Sequence, residues 1–74
     1  MRVMLFGVVA EIVGDSALVI DAASTFALRG ALNERFPDLQ ELTWSIAVDR
    51  RIEHGDRVLT GSEEIAVLPP FAGG

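Results

Sequence analysis

The sequence predicts an α+β domain, a mixed sheet packed on one side against one main helix, and three observations carry that expectation. The runs Val3-Met4-Leu5-Phe6 and Ile65-Ala66-Val67-Leu68, near the two ends, are apolar at every position, as strands in the middle of a sheet are. Only one segment, Ser24 to Phe36, places large apolar residues at helical spacing. The remaining pieces are short, alternating and separated by turn residues, and one helix cannot cover two faces of a sheet, so the sheet wraps around it on one side.

Taken in order, Val3 to Phe6 is a central strand bounded by Gly7, with Val3 and Leu5 on one face and Met4 and Phe6 on the other. Val8 to Val13 reads equally as a short helical turn or as continuing strand, and ends at the turn signal Gly14-Asp15. Ser16 to Ile20 is a second strand, closing a hairpin-like pair with the first. Ser24 is an N-cap, after which Leu28, Leu32 and Phe36 recur every fourth residue, and Pro37 ends the helix at Phe36 or one residue earlier. Gly30 within it either faces solvent or admits another backbone; Arg29 and Asn33 beside it favour solvent. Trp44-Ser45-Ile46-Ala47-Val48 is a third strand, with Trp44, Ile46 and Val48 inward, and Asp49-Arg50 starts a turn. Trp44 reads as core and not as a ligand platform. A polar loop with His54-Gly55-Asp56, a short apolar patch at Val58-Leu59 and the turn Thr60-Gly61-Ser62 lead to the last strand, Glu64 to Leu68. Because both of its alternating sets are apolar, this strand belongs in the middle, beside the first.

Composition narrows the function classes. Seventy-four residues make one domain with a small core and marginal stability. There is no cysteine for a disulfide, a thiolate metal site or a nucleophile, and a lone His54 without suitably spaced partners is a solvated loop residue, so no catalytic set of nucleophile, base and orienting group can be assembled. Eleven acidic against six basic side chains, the six all arginine, give a net charge of −5 and argue against nucleic acid. No apolar run approaches a membrane span, and a soluble cytoplasmic protein is expected.

The most informative stretch is the end. Residues 1–68 form the expected domain, and 69–74, Pro69-Pro70-Phe71-Ala72-Gly73-Gly74, an extended arm. The two prolines lack the N–H that would extend a sheet ladder and hold φ near the extended value. Gly73 and Gly74 carry no side chain, so a terminal carboxylate on Gly74 can enter a channel too narrow for a Cβ. Extended at about 3.3 Å per residue, the arm spans roughly 20 Å, enough to reach deep into another protein's active site.

In these features the chain resembles the β-grasp sulfur carriers, which are ubiquitin-like, and most closely the MoaD type, the small subunit of molybdopterin synthase. Val3-Met4-Leu5-Phe6-Gly7 through Glu11-Ile12-Val13-Gly14 resembles that family's opening strand and "RELVG"-like turn; Ser24, Leu28, Leu32 and Phe36-Pro37 its single helix; Ala47-Val48-Asp49 its "VN" strand end; and Leu59, Glu63-Glu64-Ile65-Ala66 and Pro69 to Gly74 its closing "L…GDEVA…PPVSGG" pattern. The Pro-Pro pair favours this subfamily over the thiamin-pathway carriers. The chain departs from the pattern at Ala10, where arginine is common, at Asp49, where asparagine is usual, and at Gly61-Ser62-Glu63, in place of an Asp-Gly-Asp turn.

The resemblance implies a carrier that binds no cofactor itself and is not an enzyme alone. Gly74 would be adenylated by a ubiquitin-activating-type enzyme using ATP and magnesium, then converted with a sulfurtransferase into a thiocarboxylate that attacks the pterin precursor in the large subunit of molybdopterin synthase. Phe6, Pro69, Pro70, Phe71 and Ala72 would meet the partner, with Phe71 either anchoring the arm or packing under the last strand. Carriage of sulfur for thiamin or cysteine synthesis, ubiquitin-like protein modification, and a plain interaction domain remain the alternatives.

Overall fold

The computed structural model describes residues 1–70, which form five strands, two α-helices and one 3₁₀ helix. In chain order these are β1 (Arg2–Leu5), α1 (Gly7–Val13), β2 (Ala17–Val19), α2 (Thr25–Arg35), the 3₁₀ helix Pro37–Glu41, β3 (Ser45–Val48), β4 (Arg51–Glu53) and β5 (Ile65–Leu68). The strands make one mixed sheet in the order β2-β1-β5-β3-β4. The two central strands, β1 and β5, run parallel, with Val3 opposite Ile65 and Leu5 opposite Val67, and every other pairing is antiparallel. The central position expected for the last strand is therefore correct.

Side-chain alternation decides what each face meets. Val3 and Leu5 of β1, Ile46 and Val48 of β3, and Ile65 and Val67 of β5 are buried against Leu28 and Leu32 of α2, Val9 of α1, and Leu39, Trp44 and Leu59. Leu28 and Leu32 lie one turn apart on a single face of α2. Trp44 belongs to this core, its Nε1–H donating to the Leu39 carbonyl at 3.0 Å while the Arg29 guanidinium covers its ring at 4.2 Å. Arg29 also donates to the Trp44 carbonyl at 3.1 Å, and its partial burial lowers its pKa from the usual value. Gly30 faces open space, as expected, whereas its neighbour Arg29 turns inward onto the indole.

Helix α2 is tied at its start by three different groups. Ser24 Oγ accepts from the Ala27 N–H at 3.2 Å, the Asp56 carboxylate accepts from the Phe26 N–H at 3.0 Å, and the Arg57 carbonyl accepts from the Thr25 N–H at 2.9 Å. The buried Thr25 hydroxyl completes the join, donating to the Gly55 carbonyl and accepting from the Arg57 N–H, both at 2.9 Å. The loop around His54 thus caps the helix, while His54 itself is exposed, as expected.

Three elements differ from, or go beyond, the expectation. The ambiguous Val8 to Val13 segment is helix α1, closed by Gly14 at φ 85° with its N–H on the Ala10 carbonyl. Pro37–Glu41 forms a 3₁₀ helix that delivers Leu39 to the core. Arg51–Glu53 is an edge strand where a polar loop was expected, because Asp49 and Arg50 both take positive φ, 51° and 68°, and turn the chain tightly back on β3.

Candidate functional site

The site to be built is the place where β5 hands the chain over to its C-terminal arm. β5 lies between β1 and β3, so its last residues are held from both sides: Leu68 is opposite Ser45, and the Phe6 N–H donates to the Val67 carbonyl at 3.2 Å. Pro69 follows with no N–H to prolong either ladder, and the strand ends there. Pro69 is partly buried and Pro70 exposed, so the chain is leaving the body of the domain across these two residues. The Pro69 ring lies against Gly7, at the junction of β1 and α1, so closely that a Cβ on Gly7 would stand 2.9 Å from Pro69 Cγ.

Around this root the surface is apolar. Phe6 is 46% exposed and Val8, the second residue of α1, is also exposed. The sheet face turned away from α2 continues the patch. One cross-strand row on it runs through all five strands, Ala17, Met4, Ala66, Ala47 and Ile52, each directly opposite the next. None of these carries charge, and Ile52 is 42% exposed at the edge. This row is uncharged and lies on the same side of the sheet as Phe6, while Arg2, two residues before Met4 in β1, brings charge to the end of that face away from Pro69.

Charge is gathered elsewhere. Arg50 pairs with Glu64 at 3.4 Å just before β5, and Arg57 reaches Asp49, beside the start of β5, and Glu53, on the edge strand β4, at 3.8 Å each. Asp49 also clips the β3–β4 turn onto β5, accepting from the Glu64 N–H at 2.9 Å. In the turn before β5, the Glu63 carboxylate accepts from the Thr60 and Gly61 N–H groups and the Thr60 hydroxyl, at 2.8 to 3.1 Å. These bonds, the Thr60 N–H above all, lower its pKa from 4.5 to about 2. The departures at Asp49 and at Gly61-Ser62-Glu63 therefore each form a closed, hydrogen-bonded turn.

Among the described residues no group of three or more His, Cys, Asp or Glu side chains is placed to hold a metal, and no helix is long and apolar enough to cross a membrane. Of the candidate site residues, Phe6, Pro69 and Pro70 are brought together at the arm's root, while Phe71, Ala72, Gly73 and Gly74 lie outside the described residues. Sequence reasoning missed Gly7 as part of this root. Its signal is visible only as a glycine between the first strand and a helix, which has many uses.

Comparison with known proteins agrees with this architecture. The ThiS family model matches residues 3–74. No curated protein matches the chain. Among solved structures, the solution structure of small archaeal modifier protein 1 from Methanosarcina acetivorans is similar with a TM-score of 0.81 at 22% identity, over 99% of this chain and 94% of that one. The crystal structure of the same-named protein from Haloferax volcanii is similar with a TM-score of 0.77 at 20% identity, over 99% of this chain and 97% of that one. The fold is the ubiquitin-like β-grasp, with its mixed five-stranded sheet wrapped on one main helix.

Proposed function

The chain belongs to the ThiS family, and from that premise we propose that it is a sulfur carrier of the MoaD type, serving molybdopterin synthesis in the cytoplasm. The carboxylate of Gly74 is adenylated by a ubiquitin-activating-type partner using ATP and magnesium, because a free carboxylate is too poor an electrophile to accept sulfur. The persulfide of a sulfurtransferase displaces AMP to give an acyl disulfide, and a thiol then cleaves the S–S bond, releasing the Gly74 thiocarboxylate and leaving the oxidised sulfur as a disulfide on the partner. That thiocarboxylate is the nucleophile that attacks the pterin precursor in the large subunit of molybdopterin synthase. This chain supplies the reactive terminus and the docking surface; the partners supply the catalytic groups.

The observation that carries the proposal is the construction of the arm's root. The central strand ends at Pro69, the following Pro70 is exposed, and the uncharged row of the open sheet face lies on the same side as Phe6. A body docked through that face and a terminus of Phe71-Ala72-Gly73-Gly74 threaded past it are two parts of one engagement. The Pro-Pro pair supports the molybdopterin branch over other sulfur-carrier branches.

The test is the intact mass of the chain purified from cells that can load it. The wild type is expected heavier by the difference between a sulfur and an oxygen atom, with the change on Gly74, and a chain lacking Gly74 is expected unloaded with its fold unchanged. Loading of the truncated chain overturns the proposal. A second reading, protein modification, is favoured by one observation: both similar structures are of proteins named as small archaeal modifiers. It requires isopeptide bonds from Gly74 to lysines of target proteins, seen after tryptic digestion as the segment from Val58 to Gly74 on the lysine, which a sulfur carrier alone does not leave.

A further inference from the structure

We infer that Gly7 is a positioning residue for the C-terminal arm: the missing side chain at the β1–α1 junction forms the seat on which the Pro69 ring rests, and that seat sets the direction in which the arm leaves. The inference rests on the proposed use of the arm but concerns a residue outside it. Gly7 has φ +56°, and a Cβ built on it would lie 2.9 Å from Pro69 Cγ and 3.4 Å from Pro69 Cβ. The first of these is closer than carbon atoms approach without displacement, so a side chain at position 7 pushes the ring and the β1–α1 junction apart.

The rest of the junction leaves the ring little freedom to move unnoticed. Phe6, the residue before Gly7, donates its N–H to Val67, two residues before Pro69. Leu68, between them, is opposite Ser45 on the other side. The chain is thus held from both flanks up to Leu68, and beyond it the Pro69 ring rests against Gly7. Because Pro69 has a fixed φ, a displaced ring carries the following chain with it. For a terminus that must meet an active site at the far end of an extended arm, a small change of angle at the root becomes a displacement of ångströms at Gly74.

The same structure supplies the control. Gly14 also has a left-handed backbone, φ +85°, but nothing lies within 4 Å of a Cβ built there. Gly7→Ala and Gly14→Ala therefore share the backbone strain of a side chain at positive φ, and only the first disturbs Pro69.

The experiment attaches a nitroxide to an Ala72→Cys variant, where the label is unique because the chain has no cysteine, and maps the paramagnetic broadening of backbone amides over residues 1–70. The parent is expected to broaden one side of the domain. Gly7→Ala is expected to move that footprint, Gly14→Ala to leave it in place, and Pro69→Ala, which removes the ring with position 7 intact, to move it even if Gly7→Ala folds poorly. Without the label, adenylation of Gly74 by a ubiquitin-activating-type enzyme, read as pyrophosphate exchange, is expected to fall roughly tenfold or more in Gly7→Ala relative to Gly14→Ala. An unchanged footprint in folded Gly7→Ala, an unchanged footprint in Pro69→Ala, a footprint already isotropic in the parent, or one moved equally by Gly14→Ala overturns the inference. A wild type that is not adenylated overturns the proposed function instead, and the broadening maps still decide the role of Gly7.

Discussion

Two side chains show how much of this small domain hangs on single polar contacts. The Trp44 indole fills core volume and gives its one N–H to the Leu39 carbonyl. Trp44→Phe keeps a ring but removes the indole bond, leaving the Leu39 carbonyl with its bond from the Leu42 N–H alone and the Arg29 guanidinium over a smaller surface. A loss of about 1–3 kcal/mol in urea unfolding is expected. Glu63 acts at the surface, closing the turn ahead of β5 with its carboxylate. Its pKa is lowered to about 2, so the charged form is favoured by folding, and the stability it contributes is present above the ordinary value of 4.5 and lost as the pH falls towards 2. Glu63→Gln is expected to flatten the decline of the urea midpoint across that interval, while leaving the pH dependence above it unchanged. A decline of wild-type steepness in the variant would assign the acid sensitivity to other carboxylates.

At the scale of elements, the β3–β4 hairpin is the place where local preference and fold disagree. Its two-residue turn needs positive φ at both positions, which Asp49 tolerates and Arg50 does not. Arg50→Gly removes that strain, at the loss of an exposed ion pair with Glu64 whose worth is small. The variant is expected to raise the urea unfolding free energy by roughly 1 kcal/mol, in the range of the left-handed penalty for a side-chain-bearing residue. Helix α2 presents the opposite case, since Ser24, Asp56 and Arg57 serve three different N–H groups at its start. Ser24→Ala is expected to cost about 1 kcal/mol, and it should do so without shifting the helix start, because the other two ties remain.

For the whole molecule, the decisive feature is a sheet covered on one face and open on the other, with its central strand ending at Pro69, ahead of the proposed reactive terminus. If docking uses that face, Phe6→Ala should weaken partner binding several-fold while lowering the melting temperature little, because Phe6 is nearly half exposed. The reverse ranking in titration and thermal unfolding would move the interface elsewhere. The six basic side chains are all arginine, so the chain offers no side-chain amine to an activated carboxyl terminus. Should it also modify proteins, its conjugates are expected to carry single copies: an anti-modifier blot of a purified target would show one added mass per site, and an isopeptide linking two copies of this chain would contradict that.

Much of the architecture was legible because it follows from short-range rules. Leu28, Leu32 and Phe36 mark the helix by their spacing, Pro37 stops it, and the doubly apolar run Ile65 to Leu68 demands a central place in a sheet. The Gly-Gly end after Pro69-Pro70 singles out the proposed reactive terminus by its chemistry alone. Other features were settled only when distant parts met. Val8 to Val13 could become helix or strand until β5 occupied the position beside β1; Asp56 became a helix cap only through a loop that returns to Thr25; and Gly7 acquired a role only when Pro69, far along the chain, came to rest on it. Periodicity and turn chemistry are written in neighbouring residues, so the sequence by itself determined four of the five strands and the main helix. Contacts across the chain depend on the packing of the whole, so only the tertiary structure decided what caps, what seats and which face stays open.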